Sequence, residues 1–383
     1  MSSPSRSAVV PPARRATALG CVLATVLAAG ATVGVSRSAD GDDGSSAAVT
    51  SAGAPERVDV AEDDPAGDAA RLVSRSGDRW SAAYSAQEYE ALRLSLEGEY
   101  IGTGIAVNRT PDGRIEVSRV RPGSPAERVG IRAGDTLRTV DGVPLDGRPV
   151  TDAVAKLRGS DKSAGPGSAV LLGLEREGQH WESAVERARI ATESVFVSRD
   201  LPAVTRIRVT AFTQGTAELL RAAVESAPAD DGVLLDLRGN AGGLISEAAL
   251  AASVFLDGGV VATYDVHGSQ RALLAESGGR TGTPLVVLVD GGTMSSAELL
   301  AGTLKDRNRA VVVGRPTFGK GTVQMPVEQP DGSVAELTVG QFVMPSGGVV
   351  EEGRGIVPDV VVEAGEDAGT RAAGVLAGLR VAS

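Results

Sequence analysis

The chain is short of the residues from which most hydrolytic and metal sites are built. One cysteine, Cys21, and two histidines, His180 and His267, are spread over 383 residues. The cysteine lies in an apolar N-terminal run, so the folded part has no disulfide and no cysteine metal site. The histidines are too far apart in sequence to suggest a metal cluster, and no Ser-His-Asp pattern is visible. Positive charge is also scarce: 38 Lys and Arg face 49 Asp and Glu, for a net charge of −11. A phosphate-binding surface needs the opposite balance, which argues against nucleic acid as a partner. The only lysines are Lys156, Lys162, Lys305 and Lys320. Each is informative, because arginine stays protonated whereas a buried lysine can lose its proton and act as a base.

Hydrophobic residues make up 42% of the chain, enough for real cores, and 49 glycines imply many turns. The length allows about two domains with appendages. Arg6, Arg14 and Arg15 precede an uncharged stretch from Ala16 to Ser36, and Asp40, Asp42 and Asp43 follow it. A helix of about 20 residues spans a bilayer. Residues 1–38 are therefore expected to form a hydrophobic helix that anchors the chain in the cell membrane by a single pass. The charge order puts the remainder outside the cytoplasm. The rival is a cleaved signal segment, with Ala29-Gly30-Ala31 as a small-residue site, which would leave a secreted protein. Residues 39–77 read as a disordered acidic linker. Residues 78–98 read as a helical lead-in whose Trp80, Tyr84, Tyr89, Leu92, Leu94 and Leu96 serve packing.

From Glu99 to about Ile190 short strands alternate with turn signals. YIGTGIAV is a glycine loop running into a strand. Pro122-Gly123 turns the chain, Ser124-Pro125 starts a helical turn, and Asp141-Gly142 signals a hairpin. Val150, Ala153, Val154 and Leu157 fall on one face of a small helix. The order of glycine loop, PGSPAERVGIRAGDTLRTVDG and later helix resembles a PDZ domain of the bacterial protease type. The resemblance implies a groove between the strand beginning near Ile101 and the helix carrying Val154 and Leu157. An extended peptide would add there as a strand, its terminal carboxylate held by backbone N–H groups of Ile101, Gly102, Thr103, Gly104 and Ile105.

From about Ala191 to Val362 strands and helices alternate. The apolar runs VLLDL and LVVLV suit strands covered on both faces, so the class is α/β with a mixed sheet. Within this stretch Ser295 stands where the chain leaves a strand and enters a helix, with Glu298 three residues on. On its own that is a capping box, a common structural device. The same geometry aims the Ser296 N–H at an anion beside Ser295, as an oxyanion site requires. The candidate base is Lys320, in a glycine turn before a strand. As a base it must lose its proton near pH 7, about three units below its ordinary value, which burial beside Phe318 and Val323 could bring about. Gln324 would lie near it and orient the amine. Gly314 to Lys320 also matches G-x-x-x-x-G-K, but Gly321 and a β-branched, proline-bearing run follow, where a phosphate loop must open a helix.

The motifs DLRGNAGGL, the region around Ser295, TFGKGTVQ and GRGIVPDV together resemble the C-terminal processing peptidases, also called tail-specific proteases. With the PDZ stretch the resemblance covers about three quarters of the chain. It implies an α/β mixed-sheet protease core at 191–362, preceded by a β-rich PDZ domain with short helices at 99–190 and followed by a C-terminal tail at 363–383. It implies Ser295 as nucleophile, Lys320 as general base and Gln324 as the lysine's partner. The oxyanion hole would be the N–H of Ser296 with that of Gly242 or Gly243. Asp306 matches an acidic position of the family and is assigned a structural part. Ala241 stands where the family usually has proline. The implied activity is a serine endopeptidase acting, through an acyl-enzyme, on proteins with free C-terminal tails, with no metal or other cofactor. An inert PDZ scaffold that binds protein C-termini is the alternative.

Overall fold

A computed structural model describes residues 23–24, 67–159, 165–266 and 268–382. The expected N-terminal anchor lies outside these apart from Leu23–Ala24, a two-residue strand. Among the described residues no helix is long and apolar enough to cross a membrane.

The larger part of the fold is a six-stranded sheet in the order Val195–Leu201, Val204–Val209, Gly232–Asp236, Leu285–Val289, Val311–Gly314 and Val360–Val361. Only the first pair is antiparallel, so the sheet is mixed. Alternate residues of its strands face opposite layers. Val233, Leu235, Val287 and Val289 join the main core with helices Thr216–Glu225, Ile245–Ala252 and Ser296–Asp306. Leu234, Val286, Leu288 and Val313 pack instead against Ala372 and Leu376 of helix Ala368–Ala382. That helix occupies most of the stretch read from the sequence as a tail. Coverage on both faces is why these strands are apolar throughout.

A second sheet carries strands Thr322–Glu328, Val334–Val343, Val260–Val266 and Ser269–Leu274 in spatial order. Strand Ala82–Tyr84 adds antiparallel to Val334–Val343. Helix Gly67–Ser76, within the stretch expected to be linker, is tied to the turn before Val334: Asp68 N donates to Asp331 Oδ2 at 2.9 Å and Ala69 N to Ser333 Oγ at 3.1 Å.

The small domain is an antiparallel sheet of Ile105–Arg109, Ile115–Val120, Thr136–Val140, Ala169–Arg176 and Gln179–Glu186 around its own core, with helix Val150–Arg158. It enters and leaves on a two-stranded ribbon. Glu99–Gly102 pairs antiparallel with Ala188–Ala191, and Thr192 N donates to the Gly98 carbonyl at 2.6 Å.

Candidate active site

Strand Leu285–Val289 delivers the chain to Ser295 through a turn held by side chains. Thr293 Oγ1 donates to the Leu237 carbonyl at 2.9 Å, and Asp290 Oδ1 accepts from the N–H groups of Gly239 and Gly292, both at 2.9 Å. Ser295 itself has φ 55° and ψ −117°, a conformation costly for a residue with a Cβ. It is fully buried, and its hydroxyl has no hydrogen-bond partner among the described residues.

The glycine turn after Gly232–Asp236 closes over the same point. Asn240, also fully buried, donates from Nδ2 to the Val209 carbonyl at 3.0 Å, and its carbonyl accepts from Met294 N at 2.9 Å. Gly242 sits against Ser295: a Cβ there would lie 3.0 Å from Ser295 Cβ and 3.2 Å from Ser296 N. Its N–H, however, donates to Asn240 Oδ1 at 2.8 Å. Of the two glycines proposed as oxyanion donors, Gly242 therefore has its N–H already engaged. Gly243 is held differently, its carbonyl accepting from Ser296 Oγ at 2.8 Å.

Lys320 reaches the site from the turn between Val311–Gly314 and Thr322–Glu328. A strand, not a helix, follows it, as a phosphate loop would not allow. The side chain is 1% exposed. Burial lowers its pKa to about 8, against the opposing pull of Glu336, Asp78 and Glu298. Of the two neighbours expected to bury it, Val323 is fully buried, but Phe318 is 38% exposed and makes a T-shaped contact with the Trp80 ring. Gln324 is fully buried. Its Nε2 donates to Thr322 Oγ1 at 2.8 Å and Thr338 Oγ1 at 3.0 Å, while Oε1 has no partner among the described residues.

The residue that joins these parts is Glu298. The sequence marks it only as a cap, and it does receive the Ser295 N–H, at 2.8 Å on Oε2. The same oxygen accepts the Lys320 N–H at 2.8 Å. The two backbone nitrogens thus lie within twice that distance of each other. Oε1 accepts from Gly319 N at 2.7 Å and Thr317 Oγ1 at 2.5 Å. One buried carboxylate therefore fastens the start of helix Ser296–Asp306 to the lysine turn with four donors. The i, i+3 spacing hides this, because three of those donors lie about twenty residues downstream.

Asp306 stands apart from this cluster in its contacts; its Oδ2 accepts from Ser346 N at 2.7 Å. His180 lies exposed on strand Gln179–Glu186, and His267 is outside the described residues. Among the described residues no group of His, Cys, Asp and Glu could hold a metal ion.

In the small domain helix Val150–Arg158 packs against both Glu99–Gly102 and Ile105–Arg109, and the latter, an edge strand, pairs with Ile115–Val120. Ile101 and Gly102 are instead paired with Arg189 and Ala188 in the ribbon. Thr103 is buried, its Oγ1 has no partner among the described residues, and its carbonyl accepts from Ala126 N at 3.0 Å. Gly104, at φ 86°, lies so close to Ser124 that a Cβ would fall 2.2 Å from the Ser124 Cβ. Val154 is half-buried, and Leu157 belongs to the domain core.

The family model for peptidase family S41 matches residues 203–362, and a PDZ-domain model matches residues 116–164. The chain belongs to peptidase family S41. Among the S41 relatives, the carboxy-terminal processing protease CtpA of Bacillus subtilis (strain 168) is 32% identical over 297 residues, covering 76% of this chain and 62% of that protein. The carboxyl-terminal-processing protease of Synechocystis sp. is 32% identical over 285 residues, 72% of this chain and 66% of the relative. The chain thus spans under two thirds of the length of these curated relatives. A solved structure assigned to the S41 proteases, from Bacteroides fragilis, is 17% identical with a TM-score of 0.52 over 86% of this chain and 93% of that one, a likeness of fold.

Proposed function

We propose that this S41 chain is an endopeptidase working by a Ser295–Lys320 dyad outside the cytoplasm, on proteins with free C-terminal tails. The observation that supports the reading is the shared Glu298 oxygen, which accepts from the backbone N–H groups of both Ser295 and Lys320. Burial supplies the second requirement by lowering the amine to about pKa 8. A minority of molecules then hold a neutral lysine at pH 7, and most do above pH 8.

Neutral Lys320 Nζ takes the Ser295 Oγ proton as Oγ bonds to the scissile carbonyl carbon. The Ser296 and Gly243 N–H groups hold the resulting oxyanion. The ammonium then passes its proton to the leaving nitrogen as the C–N bond breaks, leaving an acyl-enzyme. A water gives its proton to Lys320 and attacks the ester, and Ser295 recovers its proton as the acid leaves. Gln324 Oε1, buried and without a partner among the described residues, is the acceptor for the ammonium. The hydroxyl–amine hydrogen bond forms when substrate is seated, as is common for catalytic contacts that tighten on binding.

The shape of the cleft fits an extended peptide. Leu23–Ala24 pairs antiparallel with Gly243–Leu244 and also opposite Gln324, so the space between the oxyanion turn and the lysine strand is one strand wide. The PDZ groove would present the tail. The test is cleavage of an unfolded protein with an apolar C-terminus by wild type, Ser295→Ala and Lys320→Ala. Loss in both variants is expected. Cleavage retained by Lys320→Ala refutes the dyad, and no cleavage by the wild type refutes the protease in favour of an inert scaffold.

A further inference from the structure

Residues 78–81 precede the PDZ domain and lie outside the stretch matched by the peptidase model, yet their side chains reach the dyad. Pairing of Ala82–Tyr84 with Val334–Glu336 lays them alongside Thr338. Ser81 Oγ accepts from Thr338 N at 3.2 Å and donates to Asp78 Oδ2 at 2.7 Å. Thr338 Oγ1 donates to the same Asp78 oxygen at 2.5 Å. A hydroxyl has one proton. Having given it to the carboxylate, Thr338 can only accept from Gln324, and does so from Nε2. The amide nitrogen is thereby fixed towards Thr322 and Thr338, and Oε1 is turned the other way. Two residues from Asp78, Trp80 lays its ring over Lys320, 5.4 Å from Nζ to the centroid. The ring is itself held by a T-shaped contact with the Phe318 ring, centroids 5.8 Å apart, and by the Arg79 guanidinium at 4.4 Å.

We infer that Asp78 and Thr338 are positioning residues that hold the Gln324 amide with its oxygen towards Lys320, and that Trp80 walls the amine from water, so that the segment before the PDZ domain completes the catalytic centre. This rests on Lys320 being the base. When the lysine takes the serine proton it needs an acceptor, and a flipped Gln324 would present an NH2 group to the ammonium instead. Asp78 suits the task because it is ionised. Burial pushes its carboxyl up, but the hydrogen bonds from Thr338 and Ser81 outweigh this and hold it below its ordinary value. The charged groups facing Lys320 are Glu336 from strand Val334–Val343, Asp78 from the lead-in and Glu298 from the nucleophile helix, and each favours the ammonium.

The test uses the full chain and a quenched fluorescent peptide with a free apolar C-terminus, with kcat and KM measured from pH 6 to 10. Asp78→Asn and Thr338→Val are expected to lose about 10- to 100-fold in kcat, the value of a hydrogen bond to a charged group, with KM little changed. Thr338→Ser restores activity. The Asp78→Asn/Thr338→Val double variant loses no more than the worse single one, since both act on one amide. Asp78→Asn also moves the midpoint of the rising pH limb to lower pH, because one of three carboxylates favouring the ammonium is gone. A merely structural role would leave that midpoint in place. An unmoved midpoint in folded Asp78→Asn, or wild-type kcat in Thr338→Val, overturns the inference. Where Asp78→Asn fails to fold, the Thr338→Val and Thr338→Ser pair decides it. Full activity in Lys320→Ala would remove the base reading itself, whereas an inactive Lys320→Ala beside an unaltered Asp78→Asn removes only the present inference.

Discussion

Asp236 and Glu298 are both fully buried carboxylates at the ends of secondary structure in one domain, and they are satisfied in opposite ways. Asp236 ends the strand Gly232–Asp236 between two guanidinium groups. Arg238 donates to it at 2.8 and 2.9 Å, and Arg206 at 3.2 Å with a closer second contact. Burial raises its pKa, but Arg238 and Arg206 outweigh this and leave it below the ordinary carboxylate range. Glu298 is met by three backbone N–H groups and one hydroxyl, and among the described residues no arginine pairs with it. In the first case charge is cancelled where it sits, and the result is structure. In the second, neutral donors satisfy the lone pairs and leave the field in place beside a buried amine. Neutral donors here organise a site without neutralising it.

The comparison breaks most sharply through the amine. Lys320→Arg keeps the positive charge and is expected to lose about 10²- to 10⁴-fold in kcat, since guanidinium cannot act as a base. Peptide-cleavage kinetics with substantial activity in this variant would refute the assignment. Next comes Glu298→Ala, which leaves buried donors unpaired at about 1–3 kcal/mol each. It should lower denaturation midpoints and reduce turnover in whatever remains folded. If turnover per folded molecule is unchanged, Glu298 is only a helix cap.

Asp236→Asn tests the other side. It should cost on the order of 1–3 kcal/mol in a chemical melt, because the two arginines are only partly buried, while kcat stays at the wild-type value. A matching loss of kcat would mean that the two carboxylates differ less than their donors suggest. Asp236 has a depressed pKa, so its contribution is present above the ordinary carboxylate range and is lost as pH falls through its lowered value.

An effect of similar size is expected on stability at the lysine. Its folded pKa of about 8 lies below the unfolded value of 10.5. The unfolded chain therefore binds the extra proton between those values, and stability rises with pH across that window. Lys320→Met should be more stable than wild type at pH 7, by at most about 3 kcal/mol. It should lose the rise in stability between pH 8 and 10.5. In the wild type the same ionisation is expected to give kcat an ascending limb with its midpoint near pH 8, read from the pH dependence of peptide cleavage.

Where a contact joins residues close in sequence, as in the Ser295–Glu298 cap, the chain could be read directly. Ser295 with Glu298, and Lys320 with Gln324, each lie within one turn or strand, and the resemblance of the motifs joined the two pairs. The apolar strands were legible because coverage on both faces removes polar positions. What escaped depends on distance along the chain. Trp80 was read as packing because nothing local ties it to a lysine 240 positions away. Gly242 and Gly243 are equivalent in sequence and are distinguished only by which N–H Asn240 claims. The pairing of Ile101 with Arg189 gave no local signal because Arg189 comes after the whole small domain. Helix Ala368–Ala382 was missed because a run of alanine and glycine gives its buried face little contrast.

The ribbon of Glu99–Gly102 and Ala188–Ala191 makes the PDZ domain a guest in a host chain whose two halves meet without it. Trp80 and Asp78 belong to the first half, and Ser295 and Lys320 to the second. A short turn spliced between Gly102 and Ala188 would therefore yield a minimal enzyme that still encloses its own lysine. Cutting the chain between Trp80 and Glu99 would instead separate the roof from the room.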